Sequence, residues 1–166
     1  MRWSWIFVAL LVFAVPAGAQ SLEERMKSAA GAYERKDFAA AIAVWRPLAE
    51  AGNAEAQTLL GAMYWSGEGV TRDHKEAAKW YLRAAEKGYA RAQNDIGFMY
   101  GFGEGTPPKD NVQAYKWLSL AVRDYTAKNQ GRLDQATKDL AAVRARMTPA
   151  QIADAERQIR DFRPIP

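Results

Sequence analysis

Residues 54 to 69 read A-E-A-Q-T-L-L-G-A-M-Y-W-S-G-E-G, and residues 90 to 105 read A-R-A-Q-N-D-I-G-F-M-Y-G-F-G-E-G. Every identity between them falls at a shift of 36. One extra residue in the T-P-P-K loop (106–109) moves the shift to 37. Asp73 to Ala85 (D-H-K-E-A-A-K-W-Y-L-R-A-A) then meets Asp110 to Val122 (D-N-V-Q-A-Y-K-W-L-S-L-A-V). Over residues 54 to 85, 14 of 32 positions are identical. An earlier half copy matches at 36 as well: Asp37, Ala41, Ala49, Glu50, Gly52, Ala54, Ala56 and Gln57 equal Asp73, Ala77, Ala85, Glu86, Gly88, Ala90, Ala92 and Gln93. A fixed period of this length marks a stacked repeat architecture.

The repeated residues carry helix-pair chemistry. Asp73 with Glu76, and Asp110 with Gln113, have the spacing of a capping box at a helix start. Gly88 stands where a left-handed residue closes the helix that Asp73 opens. Ala77, Trp80 and Ala84 share one helical face, as do Leu60, Gly61 and Tyr64. Gly61 and Gly97 are helix-interior glycines, each costing about 1 kcal/mol against alanine, so a neighbouring helix is expected to approach closely there. Gly67-Glu68-Gly69 and Gly103-Glu104-Gly105 are the turns between paired helices.

This pattern resembles the Sel-one-like repeat (SLR) family, a relative of the tetratricopeptide repeat, in an exported bacterial form. Residues 54–88 carry nearly all of its motif: Ala54, Ala56-Gln57, Gly61, Met63-Tyr64, Gly67, Gly69-Val70, Asp73, Trp80-Tyr81 and Gly88. Residues 90–124 lose the paired tyrosine to Leu118 and the loop valine to Thr106. Residues 22–52 are similar to a shorter, partial tetratricopeptide-style pair. The resemblance implies an all-α solenoid of helix pairs in a right-handed superhelix with an inner groove. It also implies that the chain holds a protein or peptide partner and does not catalyse. Residues 126–166 fade from the repeat into C-terminal capping helices. One spans Asn129 to Arg146, with an apolar stripe at Leu133, Leu140 and Val143. Another starts at Thr148-Pro149-Ala150-Gln151 and aligns Ile152, Ala155, Ile159 and Phe162. Such a cap covers the open end of a repeat stack.

The first twenty residues read differently. Trp5 to Val15 is an unbroken apolar run of eleven, with Arg2 as the only charge before it and Pro16-Ala17-Gly18-Ala19 after it. That is the pattern of a signal peptide over residues 1–19, cut between Ala19 and Gln20. As a helix the run reaches only about 16 Å, short of the roughly 30 Å of a hydrocarbon core. The expected location is therefore periplasmic or secreted, with no membrane span after cleavage. There is no cysteine, so stability must come from packing.

The net charge is +4. Residues 20–125 hold 14 Lys+Arg and 14 Asp+Glu, whereas residues 126–166 hold 8 and 5. The mature excess of three sits wholly in the tail, a poor match to the concentrated basic surface of a nucleic-acid binder. The oligomeric state stays open.

The catalytic inventory is thin. His74 is the one histidine and reads as a solvated surface residue, so neither a metal nor a cofactor is expected. Ser21, Ser28, Ser66 and Ser119 lie outside S-x-x-K and G-x-S-x-G patterns. Some cysteine-rich members of the family bind or hydrolyse β-lactams; this chain lacks their cysteines. Glu68 and Glu104 are repeat-related carboxylates expected roughly 10 Å apart along one ridge. They read as exposed turn residues before they read as an acid/base pair. An envelope enzyme acting on cell-wall material or β-lactams is the alternative to the adaptor, and a self-associating structural module is a third.

Trp45, Tyr64, Trp80, Tyr100 and Trp117 occupy repeat-core positions. In tetratricopeptide register, the groove-facing positions are Met26, Ala30 and Tyr33, then Thr58, Ala62 and Trp65, then Asn94, Phe98 and Phe102. The repeat core does not require Tyr33, Trp65, Phe98 and Phe102. They form a candidate partner-binding groove together with Thr58 and Asn94. Two arrangements compete: a continuous apolar stripe open in the groove, or C-terminal helices folded back over it.

Overall fold

The computed structural model describes residues 21–103, 109–125 and 129–166. The expected signal segment 1–19 and Glu104 lie outside the described residues. The described residues form eight helices and no strand: α1 Leu22–Glu34, α2 Phe38–Glu50, α3 Ala54–Ser66, α4 His74–Glu86, α5 Ala90–Phe102, α6 Asn111–Asp124, α7 Gln130–Arg144 and α8 Pro149–Asp161. The pairs α1/α2, α3/α4 and α5/α6 stack in chain order. This is the all-α helix-pair solenoid that the repeats predict.

Polar side chains start most of these helices. Ser21 and Thr148 form complete capping boxes with Glu24 and Gln151. Asp73 accepts from the backbone N–H groups of Lys75 and Glu76, and Asp110 from that of Gln113. The expected boxes at these two aspartates are half formed. Glu76 reaches Lys79 (2.7 Å) instead, and Gln113 donates to Gln158 of α8 (3.0 Å). At the other ends, Gly52 and Gly88 hold positive φ of 94° and 82°. The N–H groups of Gly88 and Tyr89 bond back to the carbonyls of Ala85 and Ala84, which is the double closure of a Schellman motif.

The interior glycines do what their cost suggests. A Cβ on Gly61 would lie 2.9 Å from the Tyr81 ring; one on Gly97 would lie 2.9 Å from Leu118 Cγ and 3.0 Å from its backbone nitrogen. Each pair thus closes helix on helix through one missing side chain. The repeated glutamine joins one pair to the next. Gln57 Nε2 donates to Ala49 O (3.0 Å) and Gln93 Nε2 to Ala85 O (3.3 Å), using carbonyls near the end of the preceding outer helix. Around these contacts Trp45, Trp80 and Trp117 are buried at 1%, 5% and 2% exposure.

The two C-terminal helices cap differently. α7 packs on α6 and touches α5, whereas α8 packs back on α6. The inward face of α7 is Ala136, Asp139 and Val143, with Leu133 and Leu140 only half-buried, so the expected apolar stripe is interrupted by a buried carboxylate. Phe162 meets the Trp117 ring edge-on at 5.5 Å. Beyond it, Ile165 N donates to Glu86 O at the end of α4 (3.0 Å), and Pro164 rests against Gly88. No described helix is long and apolar enough to cross a membrane.

Candidate functional site

The inner helices α1, α3 and α5 supply the expected groove residues, but the rings group within their own units. Tyr33 on α1 packs against Phe38 (5.5 Å) and Trp45 (5.6 Å). Trp65 on α3 stacks on His74 (4.4 Å), and Phe98 stacks on Phe102 (4.5 Å). All four groove aromatics are half-buried. No described ring contact joins Tyr33 to Trp65 or Trp65 to Phe98.

Three expectations are corrected. Thr58 is fully buried and donates to its own helix at Ala54 O (2.8 Å), which removes it from the groove surface. His74 is half-buried against Trp65 rather than solvated. Glu68 is not a free turn residue, because Tyr33 Oη donates to it at 2.5 Å and Ser66 Oγ at 3.0 Å. That hydrogen bond to a carboxylate, with burial, pushes the Tyr33 phenol up from its ordinary value. Gly69 completes the turn: a Cβ there would strike Phe38 Cβ at 2.4 Å. The turn of the second pair is thereby clamped to both helices of the first.

Phe102 is one residue out of step. At the shift of 36, Trp65 corresponds to Gly101 and Ser66 to Phe102. Gly101 is buried, and a Cβ on it would lie 3.1 Å from Val143 Cγ2 of α7. Arg146, just past α7, donates to Gly101 O (3.2 Å) and sits 5.5 Å over the Phe102 ring. The third pair therefore gives up the groove tryptophan and admits the cap in its place. The one-residue offset between Trp65 and Phe102 was the available signal for this.

α7 neither fills the groove nor leaves it bare. Together with α3, α4 and α5 it encloses a cavity of about 460 Å³. Trp65, Tyr81, Phe98 and Met99 line its apolar side; Arg91, Asn94 and Asp95 of α5 and Arg132, Gln135 and Asp139 of α7 line its polar side. Asn94 lines this cavity together with Trp65 and Phe98. The sequence reading missed Asp95 and Asp139. Asp95 accepts from Asn94 Nδ2 (3.4 Å) and lies 4.0 Å from Arg91 Nε. Burial raises its carboxyl above the usual carboxylate range, against the opposing pull of Arg91, the Asn94 hydrogen bond and Arg132. Asp139 is 8% exposed and accepts from Gln135 Nε2 (2.9 Å). Arg91 Nε and Asn94 Oδ1 are buried with no hydrogen-bond partner. Among the described residues no three His, Cys, Asp or Glu side chains cluster as a metal site.

The Sel1 repeat model matches residues 54–89 and 90–124. The Sel1 repeat protein from Oxalobacter formigenes is 32% identical over 68% of this chain and 87% of that one, with a TM-score of 0.57. This chain belongs to the Sel1 repeat family. A protective antigen of uropathogenic Escherichia coli strains that displays an SLR fold superposes with a TM-score of 0.74 at 25% identity. That match covers 88% of this chain, which spans only 30% of the antigen's length. No curated protein matches the chain by sequence. Sel1 repeats typically mediate protein–protein interaction, and their scaffolds are generally non-catalytic.

Proposed function

We propose that this protein is an exported scaffold that holds a protein or peptide partner in the cell envelope. The contact surface is the inner groove, where Tyr33, Trp65, Asn94, Phe98 and Phe102 lie, and no catalysis is involved. The observation that carries this reading is the 460 Å³ cavity shared by Trp65 and Phe98. It is a concave site in which aromatic rings meet six polar or charged side chains, so one pocket offers both apolar and polar contact to a partner. Export rests on the apolar run of residues 5–15 and the small residues that follow it.

Cross-linking in intact envelopes followed by affinity capture tests both halves. Trp65→Ala and Phe98→Ala are each expected to lose a cross-linked band that wild type retains, with an affinity loss of about 2 kcal/mol or more and an unchanged circular dichroism spectrum. A band that persists in both folded variants moves the contact off the groove. The expected N-terminus of the recovered protein is Gln20. Recovery from the cytoplasm with Met1 intact would remove the envelope from the reading.

A further inference from the structure

Three acceptors on the polar side of the cavity have few donors among the described residues: Asp139, Asp95 and Asn94 Oδ1. Asp139 is more than nine-tenths buried, and its partner there is an amide, Gln135, with no ion pair among the described residues. Asp95 has one loose cationic neighbour, Arg91, at 4.0 Å, and a long hydrogen bond from Asn94. Asn94 Oδ1 is buried with no donor at all. A carboxylate withdrawn from water is costly unless a cation and hydrogen-bond donors replace that water.

Two arginines also face this space: Arg91 is half-buried, as Asp95 is, and Arg132 is exposed. Water already solvates the Arg132 charge. Arg91 Nε is buried without an acceptor, yet Arg91 and Arg132 together fail to hold the Asp95 carboxyl down. The lining carries two arginines and two aspartates, and Asp139, the most buried of the four, has no ion pair among the described residues. Trp65 and Phe98 line the same cavity, and aromatic rings attract cations.

We infer that the cavity receives an arginine side chain of the bound partner, its guanidinium against Trp65 and Phe98 and its donors on Asp95, Asp139 and Asn94 Oδ1. This rests on the groove reading above and names the chemistry of its anchor. A planar guanidinium offers five donors in a fixed fork and stacks on aromatic faces, so one group meets both sides of the cavity. The stem of an arginine side chain suits the apolar wall.

The probe is N-acetyl-arginine methylamide, titrated into the purified protein alongside the leucine and glutamate counterparts. The readout is the Trp65 indole N–H resonance, identified by its absence in Trp65→Phe. The arginine probe is expected to bind roughly tenfold tighter than the leucine probe, the worth of one charge-assisted hydrogen bond. Asp139→Asn, which keeps the side-chain shape, is expected to abolish that preference while leaving the leucine probe unchanged. Asp95→Asn provides the same check independently. Equal binding of arginine and leucine probes would overturn the inference, as would tighter binding of the glutamate probe through Arg91 and Arg132. So would an arginine preference that survives both aspartate substitutions. Partner capture that is lost in Trp65→Ala yet intact in Asp139→Asn removes the arginine and keeps the groove. Capture that persists in both Trp65→Ala and Phe98→Ala removes the groove reading, and the probe titration still decides the cavity.

Discussion

The second and third helix pairs share a motif, and one of the inner positions where they differ decides what packs beside it. In the second, Trp65 stands in the groove, stacked on His74. In the third, the matching residue is Gly101, and Val143 of α7 occupies the space a side chain would take. The difference separates two jobs that a repeat does with one site. An internal repeat presents a ring there, whereas the last repeat removes it to seat its cap. The rest of the pair is constrained in both by the same helix closure at Gly61 and Gly97.

The strongest way to break this comparison is to make the third pair like the second. Gly101→Trp is expected to lift α7 from α5, costing about 3 kcal/mol, at the upper end of overpacking losses. Urea unfolding would show it, with faster amide exchange confined to α7. A variant as stable as wild type would mean that Gly101 does not admit the cap. Next in size are the closure glycines. Gly97→Ala meets a backbone nitrogen at 3.0 Å, whereas Gly61→Ala meets chiefly a tyrosine ring. Since a ring gives way more readily than backbone, Gly97→Ala is expected to lose about 2 kcal/mol and Gly61→Ala about half that. Equal losses would erase the distinction between the two interfaces.

A smaller effect sharpens the polar side of the cavity. Burial raises the Asp95 carboxyl in the folded state. The folded protein therefore holds that proton more tightly than the unfolded chain, and stability falls as pH rises from the ordinary carboxylate range through the folded value. Asp95→Asn is expected to raise the melting temperature by a few degrees at pH 7, an effect of about 1 kcal/mol, and to leave it unchanged near pH 3. A lower melting temperature at pH 7 would show that the Arg91 contact outweighs the burial. The smallest effect lies in the first pair, whose tight turn puts Lys36 at φ 62° where the turns at residues 52, 67 and 88 use glycine. Lys36→Gly is expected to stabilise by about 0.5 kcal/mol, as relief of the left-handed strain exceeds the added freedom of the unfolded chain. Destabilisation would reverse that balance.

Helices, turns and the repeat interfaces were legible in the sequence because each recurs at a fixed separation. Gln57 and Gln93, Gly61 and Gly97, and Asp73 and Asp110 each appear twice, and each does in both copies what its chemistry implies. The candidate groove was legible only in part. Helical register put Asn94, Trp65 and Phe98 on one side, and they share a cavity. Thr58 sits in the same register, yet it is short and bonds its own helix, so packing closes over it. Asp139 was out of reach because the cavity's second wall is α7, which belongs to no repeat, and Asp95 because its counterpart in the second pair is Leu59, which shares none of its chemistry. Contacts made once, between elements far apart in the chain, leave no internal copy to compare.

The bond from Ile165 to Glu86 and the seat of Pro164 on Gly88 carry a consequence for how the molecule comes apart. A linear array in which each unit touches only its neighbours can fray from either end, one unit at a time. Here the residues after α8 return past α6 to the end of α4, so the second pair, the third pair and the tail close a loop. Opening any one of them breaks contacts of the other two. Hydrogen exchange should therefore find a single cooperative block made of α3, α4, α5, α6 and α8, and α1, outside that loop, should exchange before it.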